Sequence, residues 1–400
     1  MRYWFAGRRI ELRVTSHWIP KQSASHDGLL DSSHQSIGNA RFDAIVVPTN
    51  RPVEFLHDCI DLARETTIPL IVICSKSVTK DQVVGATTGE KVEGFAVELP
   101  WPPTNPLERI SFATSTDEDL LAASFGRTRD LSTKRNLGLV IARMLGWRRL
   151  MFLDDDICDV SKDDVDALVA ALDEHNVSVL IPDEYPDNSV ACHAYRLGGG
   201  RQGKFASAGA MGVRCDRNDL PFFPNIYNED WFFFSAEAAN HKIARVGTSR
   251  QQEYDPFEHP RRAIKEEFGD LLAEGLYARL DANRDIPGAD AVYWAEFIEG
   301  RADFLSRVGE SLARHAYRDL DNEEGRKVRR AQVSIRAAQG QLELIGSKLC
   351  QKFVGLWQAD LLEWQDYLTG LQRFDSVTSA LDDLRLDYAA FSPDVGWRAV

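Results

Sequence analysis

Asp154, Asp155 and Asp156 stand directly behind the apolar run "RLMFL", residues 149–153. Adjacent carboxylates raise one another's pKa unless something compensates their charge. Oxygen-only ligands suit hard divalent cations, so Mn2+ or Mg2+ is the expected partner. Side chains alternate along an extended chain. At a strand end that brings Asp154 and Asp156 to one side and turns Asp155 away. The competing reading is a capped or solvated turn ahead of "SKDD", residues 161–164.

Two more acids stand in "YNEDWFFF", residues 227–234. Asn228 suits a helix cap, and Glu229 and Asp230 suit a first turn, where the helix dipole favours acids. That accounts for the acids without chemistry, but not for the aromatic run from Trp231 to Phe234 behind them. A carboxylate in such surroundings is a candidate general base. In "VVPTNRP", residues 46–52, an apolar strand ends at Pro48 and leaves Thr49, Asn50 and Arg51 at its tip. In "LSTKRNLGL", residues 131–139, Lys134, Arg135 and Asn136 open a helix whose other face is apolar. Lys134 or Arg135 there could meet a diphosphate, helped by the helix N-terminus. A solvated helical turn is the plainer alternative.

A regular alternation of elements places these residues. "FDAIVVP", "IPLIVICS", "EGFAVELP", "RLMFL" and "VSVLIP" are short, β-branched and apolar throughout, as strands buried on both faces are. Helical spacing fills the gaps in "PVEFLHDCIDLARE", "DEDLLAAS", "LSTKRNLGLVIARMLG" and "KDDVDALVAALDEH". The expected fold is α/β, with a mostly parallel sheet and helices on both faces. Ligands of such sheets sit at the carboxyl ends of the strands, where both "TNRP" and "DDD" fall. Residues 189–250 loosen into a Gly- and Ala-rich stretch expected to hold loops and mixed strands. A helix then follows Asn228, and "KIARVG" is a short strand. Residues 1–40 are expected as an N-terminal arm or edge strand, with "RIELRVTS" as the strand and "KQSASHDGLLDSSHQSIGN" as a polar loop after it, 41–260 as the catalytic domain, and 261–400 as packed helices. Those helices suit a homo-oligomer contact or a cover for one side of the sheet.

The chain has 400 residues, 44% hydrophobic and 27% charged, with a net charge of -14. Nucleic-acid binding is not expected, because it needs a basic face. The six cysteines show no CxxC spacing and are expected as reduced thiols. "MRYWFAGRRIELRV" has no signal-peptide core and no apolar run reaches membrane length, so a cytoplasmic location is expected.

In their order, "VVPTNRP", "STKRNLGL", "FLDDDI", "SAGAMGVR" and "NED" resemble the motifs of nucleotide-sugar-dependent glycosyltransferases of the GT-A fold, family 2 in style, over roughly residues 41–260. The resemblance implies a nucleoside-diphosphate sugar donor and a hydroxyl acceptor. It places Pro48, Thr49, Asn50 and Arg51 around the nucleotide, with Lys134, Arg135 and Asn136 at the base or diphosphate. Asp154 and Asp155 then belong to the donor site, Asp154 toward the ribose, and Asp156 binds the metal beside Asp154. Gly209 and Ala210 border the donor sugar and acceptor. Asp230 is the base of an inverting transfer, supported by Glu229, and His259 is a further metal ligand. Trp231 and Phe222 are candidates to stack on a sugar. The QxxRW motif of processive synthases is absent, with "RQQEYDP" near its place. The alternatives are a retaining transferase similar to the glucosyl- and mannosyl-phosphoglycerate synthases, and a non-catalytic nucleotide-sugar-binding scaffold.

Overall fold

Five apolar runs fold as the core of one sheet because each side of each run finds a hydrophobic layer. The computed structural model describes residues 22, 25–32, 40–102, 104–107, 109–127, 130–184, 189–201, 203–316 and 322–391. The expected edge strand at residues 9–16 lies outside them. The strands are β1 (Leu30–Asp31), β2 (Ala44–Thr49), β3 (Leu70–Cys74), β4 (Gly94–Glu98), β5 (Arg149–Leu153), β6 (Ile157–Cys158), β7 (Val177–Glu184), β8 (Ala210–Arg214), β9 (Ile243–Gln251) and β10 (Asp387–Phe391). The helices are α1 (His57–Thr66), α2 (Lys80–Thr87), α3 (Ala113–Thr116), α4 (Glu118–Ala123), α5 (Leu131–Leu145), α6 (Lys162–Ala171) and α7 (Val190–Leu197). They continue as α8 (Glu229–Ala239), α9 (Arg261–Asp281), α10 (Ala291–Ala316), α11 (Glu323–Leu342), α12 (Ser347–Thr369) and α13 (Val377–Asp383).

The sheet runs β1-β9-β7-β8-β5-β2-β3-β4-β10, with β6 paired to β9. β5, β2, β3 and β4 are parallel neighbours, as are β1, β9 and β7. β8 runs antiparallel between β5 and β7, and β10 runs antiparallel along β4. The expected α/β fold, mostly parallel and helix-covered on both faces, is therefore present. Within β2 the period of two divides the residues: Ala44 and Val46 join one apolar core, Ile45 and Val47 the other. The first core includes α5 and the C-terminal helices, with Trp294, Leu305, Phe353 and Trp364 in the same cluster as Phe152. The second is covered by α1 and α6.

Three elements differ from the sequence reading. Within the Gly- and Ala-rich stretch, Val190–Leu197 is a helix, started by Ser189, whose hydroxyl accepts from Cys192 N. The all-helical end contains a strand, β10, that returns to the sheet edge. The segment expected as a polar loop supplies β1, which pairs with β9. All six cysteines are free and buried. Among the described residues no helix is long and apolar enough to cross a membrane.

Candidate functional site

The parallel register brings the tips of β2 and β5 side by side, and α5 starts beneath them. The result is a cleft of about 370 Å³ lined by Pro48–Arg51, Lys76, Asp130, Leu131, Lys134, Asp154–Asp156 and Gln251. The residues expected at the strand tips are thus together.

The aspartates occupy a tight turn that begins where β5 stops. Asp154 N donates to Gly209 O at 2.8 Å, and Ile157 N to Asp154 O at 3.2 Å. Because the chain turns here, the alternation expected for an extended strand does not hold. Asp155 and Asp156 are the pair that share a partner. Arg51 donates Nη1 to Asp155 Oδ1 at 2.6 Å and Nη2 to Asp156 Oδ2 at 2.7 Å. Thr49 Oγ1 donates to Asp155 Oδ2 at 2.5 Å, and Gln251 Nε2 to Asp156 Oδ2 at 2.9 Å. Asp154 faces elsewhere: Arg135 Nη2 reaches both its oxygens at 2.7 and 2.8 Å. Arg135 Nη1 then donates to Glu229 Oε1 at 2.8 Å, so one guanidinium ties the aspartate turn to the start of α8.

Burial sets the protonation energetics. Loss of water pushes Asp154 up to about 6, against the pull of Arg135. Burial also raises Asp155, with Arg51 opposing. Burial by itself would lower Arg51, but Asp156 and Asp155 outweigh it and hold the guanidinium charged.

The "STKRN" segment is the opposite of a solvated turn: Lys134, Arg135 and Asn136 are all buried. Lys134 Nζ donates to Thr49 O at 2.6 Å and Ser75 Oγ at 2.7 Å, and pairs with Asp130 at 3.1 Å. It locks the tips of β2 and β3 to α5, with burial lowering its pKa against the pull of Asp130. Asn136 exchanges two hydrogen bonds with the Phe223 backbone, at 2.8 and 2.9 Å, and does not line the cleft. Among the described cations lining the cleft, Lys134 is buried, whereas Arg51 is 38% exposed and Lys76 is exposed, its ammonium 3.7 Å from the centre of the exposed Trp101 ring.

Gly209 and Ala210 border the aspartate turn, Ala210 pairing with Leu153. Glu229 is buried against Arg135 and Arg127. Asp230 does not line the cleft. It is partly exposed and accepts from Ala208 N at 3.0 Å, which ties it to the loop that leads into Gly209. Desolvation and the neighbouring Glu229 push Asp230 up to about 7, with Arg135 opposing. Asn228 opens α8 in the left-handed conformation, φ 58°, and does not cap it with its side chain. Its amide donates instead to Asp270 on α9 at 3.1 Å. Trp231 and Phe222 belong to the core and offer no face to a sugar: Trp231 packs on His26 and Tyr277, Phe222 on Phe112. His259 lies exposed in the turn before α9 and is not part of the cleft lining.

The donor chemistry, oxygen only, suits a hard cation, but the arrangement does not fit a resident one. Asp154, Asp155, Asp156 and Glu229 are each paired with a guanidinium. Among the described residues no three His, Cys, Asp or Glu side chains gather into a metal-holding group.

Sequence reasoning missed Ser75, Lys76, Asp130 and Gln251. Ser75 and Lys76 follow "LIVIC" at the carboxyl end of β3, by the same rule that singled out "TNRP". Gln251 stands in "RQQEYDP" and carries no local signal for its contact with Asp156, 95 residues away.

No family model and no curated protein matches the chain. Among solved structures it is similar to core-mannan synthase A (CmsA/Ktr4) of Aspergillus fumigatus in its Mn/GDP form. The identity is 12%, over 54% of this chain and 73% of that chain, with a TM-score of 0.27.

Proposed function

We propose that the chain is a glycosyltransferase that binds a nucleoside-diphosphate sugar in the cleft and passes the sugar to an acceptor hydroxyl. One observation carries the reading. Thr49–Arg51, Lys134–Arg135 and Asp154–Asp156, the motifs that resemble the GT-A families, converge at the carboxyl ends of parallel strands. Open α/β sheets bind nucleotides at that place. A cleft of 370 Å³ falls within the usual range of small-ligand sites, roughly 300–1,000 Å³.

Arg51 and Lys76 supply the positive charge that meets the diphosphate, and fixed cations stabilise the charge that develops as it leaves. Arg135 and Lys134 act one step back. Arg135 holds Asp154 and Glu229 in register, and Lys134 fixes the floor. Asp230 is the base: an acceptor oxygen forms its bond to the anomeric carbon as the bond to the β-phosphate oxygen breaks. The leaving diphosphate takes the electron pair, Asp230 takes the proton, and attack opposite the leaving group inverts the centre.

A thermal-shift panel of nucleoside-diphosphate sugars, run in chelator and again with manganese, tests this directly. The expected result is stabilisation by one nucleotide in both conditions. If no nucleotide of the panel stabilises the chain in either condition, the reading fails.

A further inference from the structure

Beside the charged cleft lies a second cavity of the same volume, 370 Å³, with different chemistry. Its walls come from residues between Pro102 and Leu121, from Arg127, from the first turns of α5, and from Phe223 and Asn225. Among the described residues no aspartate or glutamate lines it. The charged side chain among the described lining residues, Arg127, is buried and paired with Glu229 at 3.4 Å. What remains is neutral: Ser111, Ser115 and Thr133 bring hydroxyls, and Phe112 and Leu107 bring apolar surface. Asn225 brings a side-chain oxygen that is buried without a hydrogen-bond partner.

The two cavities share α5. Asp130, Leu131 and Lys134 line the charged cleft, while Ser132, Thr133 and Asn136 line the neutral one. They therefore lie on two sides of the same helical turns, about 10 Å across. The far wall is braced from behind by α12. Asp360 of α12, fully buried, accepts from Ala113 N at 2.7 Å, Thr114 N at 2.9 Å and Thr114 Oγ1 at 2.6 Å. Phe112 stacks on Phe222 at 4.3 Å and packs on Trp364 of α12.

We propose that this cavity binds a neutral polyhydroxylated compound, a sugar or glycoside. A phosphorylated or carboxylated ligand would need an exposed cation, and Arg127 is buried against Glu229. A purely apolar ligand would bury the serine and threonine hydroxyls and the Asn225 oxygen without partners. A sugar satisfies both requirements, with hydroxyls at its edge and C–H groups on its face.

The test is saturation-transfer NMR with methyl glucoside, galactoside, mannoside and N-acetylglucosaminide, with and without UDP or GDP, on the full chain. Ser115→Trp and Thr133→Trp fill the cavity from opposite walls, and thermal shift with the sugar-nucleotide panel is read on the same samples. At least one glycoside should bind wild type, binding should fall tenfold or more in both variants, and nucleotide stabilisation should stay unchanged. Nucleotide binding with no glycoside binding, or glycoside binding that survives both substitutions, overturns the cavity's assignment. Glycoside binding lost in both variants, with no sugar nucleotide stabilising any sample, upholds a carbohydrate site and overturns the transferase reading.

Discussion

Asp230 is raised to about 7 because its carboxyl is desolvated beside Glu229, so at neutral pH it stands near half ionisation. A base must be unprotonated to work, which fixes the sign: kcat/KM should rise with pH through an apparent pKa near 7 and level off above it. Asp230→Asn should abolish that acid limb and cut the rate by about 10²–10⁴-fold while nucleotide binding persists. Transfer at the wild-type rate in the variant would remove Asp230 from the chemistry. Arg51 offers a sharper test, because it is the partner that Asp155 and Asp156 share. Arg51→Ala leaves two crowded carboxylates without their guanidinium, and such a pair takes up protons or a hard cation. Nucleotide affinity in chelator should fall about tenfold, or about 1.4 kcal/mol. Added manganese should restore much of it in the variant and change little in wild type. A wild-type enzyme whose nucleotide binding vanishes in chelator would show that the arginine gives way to a metal in the working state.

At the scale of elements, the turn into α8 depends on a close approach by α9. A Cβ on Gly269 would lie 2.4 Å from Tyr227 O, so only glycine lets α9 sit against the turn. Asp270 then accepts from the amide of Asn228, whose φ of 58° is left-handed. Asn228→Gly keeps that backbone available and loses one hydrogen bond, about 1 kcal/mol. Asn228→Val also forces a β-branched residue into left-handed space, roughly 1–2 kcal/mol more. The melting temperatures should fall in that order, with transfer falling further in the valine variant. Equal melting temperatures would show that the turn is not under this constraint. This contact also marks where sequence reading stops. The strands β2 to β5 and β7 were legible because runs such as "IPLIVIC" are apolar on both faces, which only a covered parallel sheet needs. Thr49–Arg51 and Asp154–Asp156 were legible because polar residues ending such runs must face the ligand edge. The pairing of each arginine with its carboxylates was not, because it depends on a turn that begins at Asp154. β10 was hidden too, since its five residues gain their meaning only from β4, almost three hundred positions away.

Over the whole molecule, the helices after residue 260 share one core with the sheet, and α12 also braces the neutral cavity. α12 pins the wall of the neutral cavity through Asp360, and α9 and α10 carry a fully buried ionic group: Arg301 donates to Glu267 at 2.9 and 3.1 Å, and also pairs with Asp270. Burial pushes Glu267 up to about 7 even with Arg301 beside it. Arg301→Met strands two carboxylates in the interior, and breaking a buried pair in this way costs about 3–5 kcal/mol. The pH dependence follows from the sign. A carboxyl raised in the folded state favours folding while protonated, and that advantage is lost as pH rises from its unfolded value toward its folded one. Removing Arg301 raises Glu267 further, so the deficit against wild type should be small near pH 5 and grow toward pH 8. Replacing all three groups by apolar residues, Arg301→Met with Glu267→Leu and Asp270→Leu, should recover most of the stability, because no buried charge is left unpaired. It should not recover transfer, since Asn228 has lost the carboxylate that holds the turn before Asp230. Unfolding midpoints in urea at several pH values, read with transfer rates on the same proteins, separate the two roles. If the triple variant regains stability and transfer together, the buried group serves the fold alone and has no part in positioning the base.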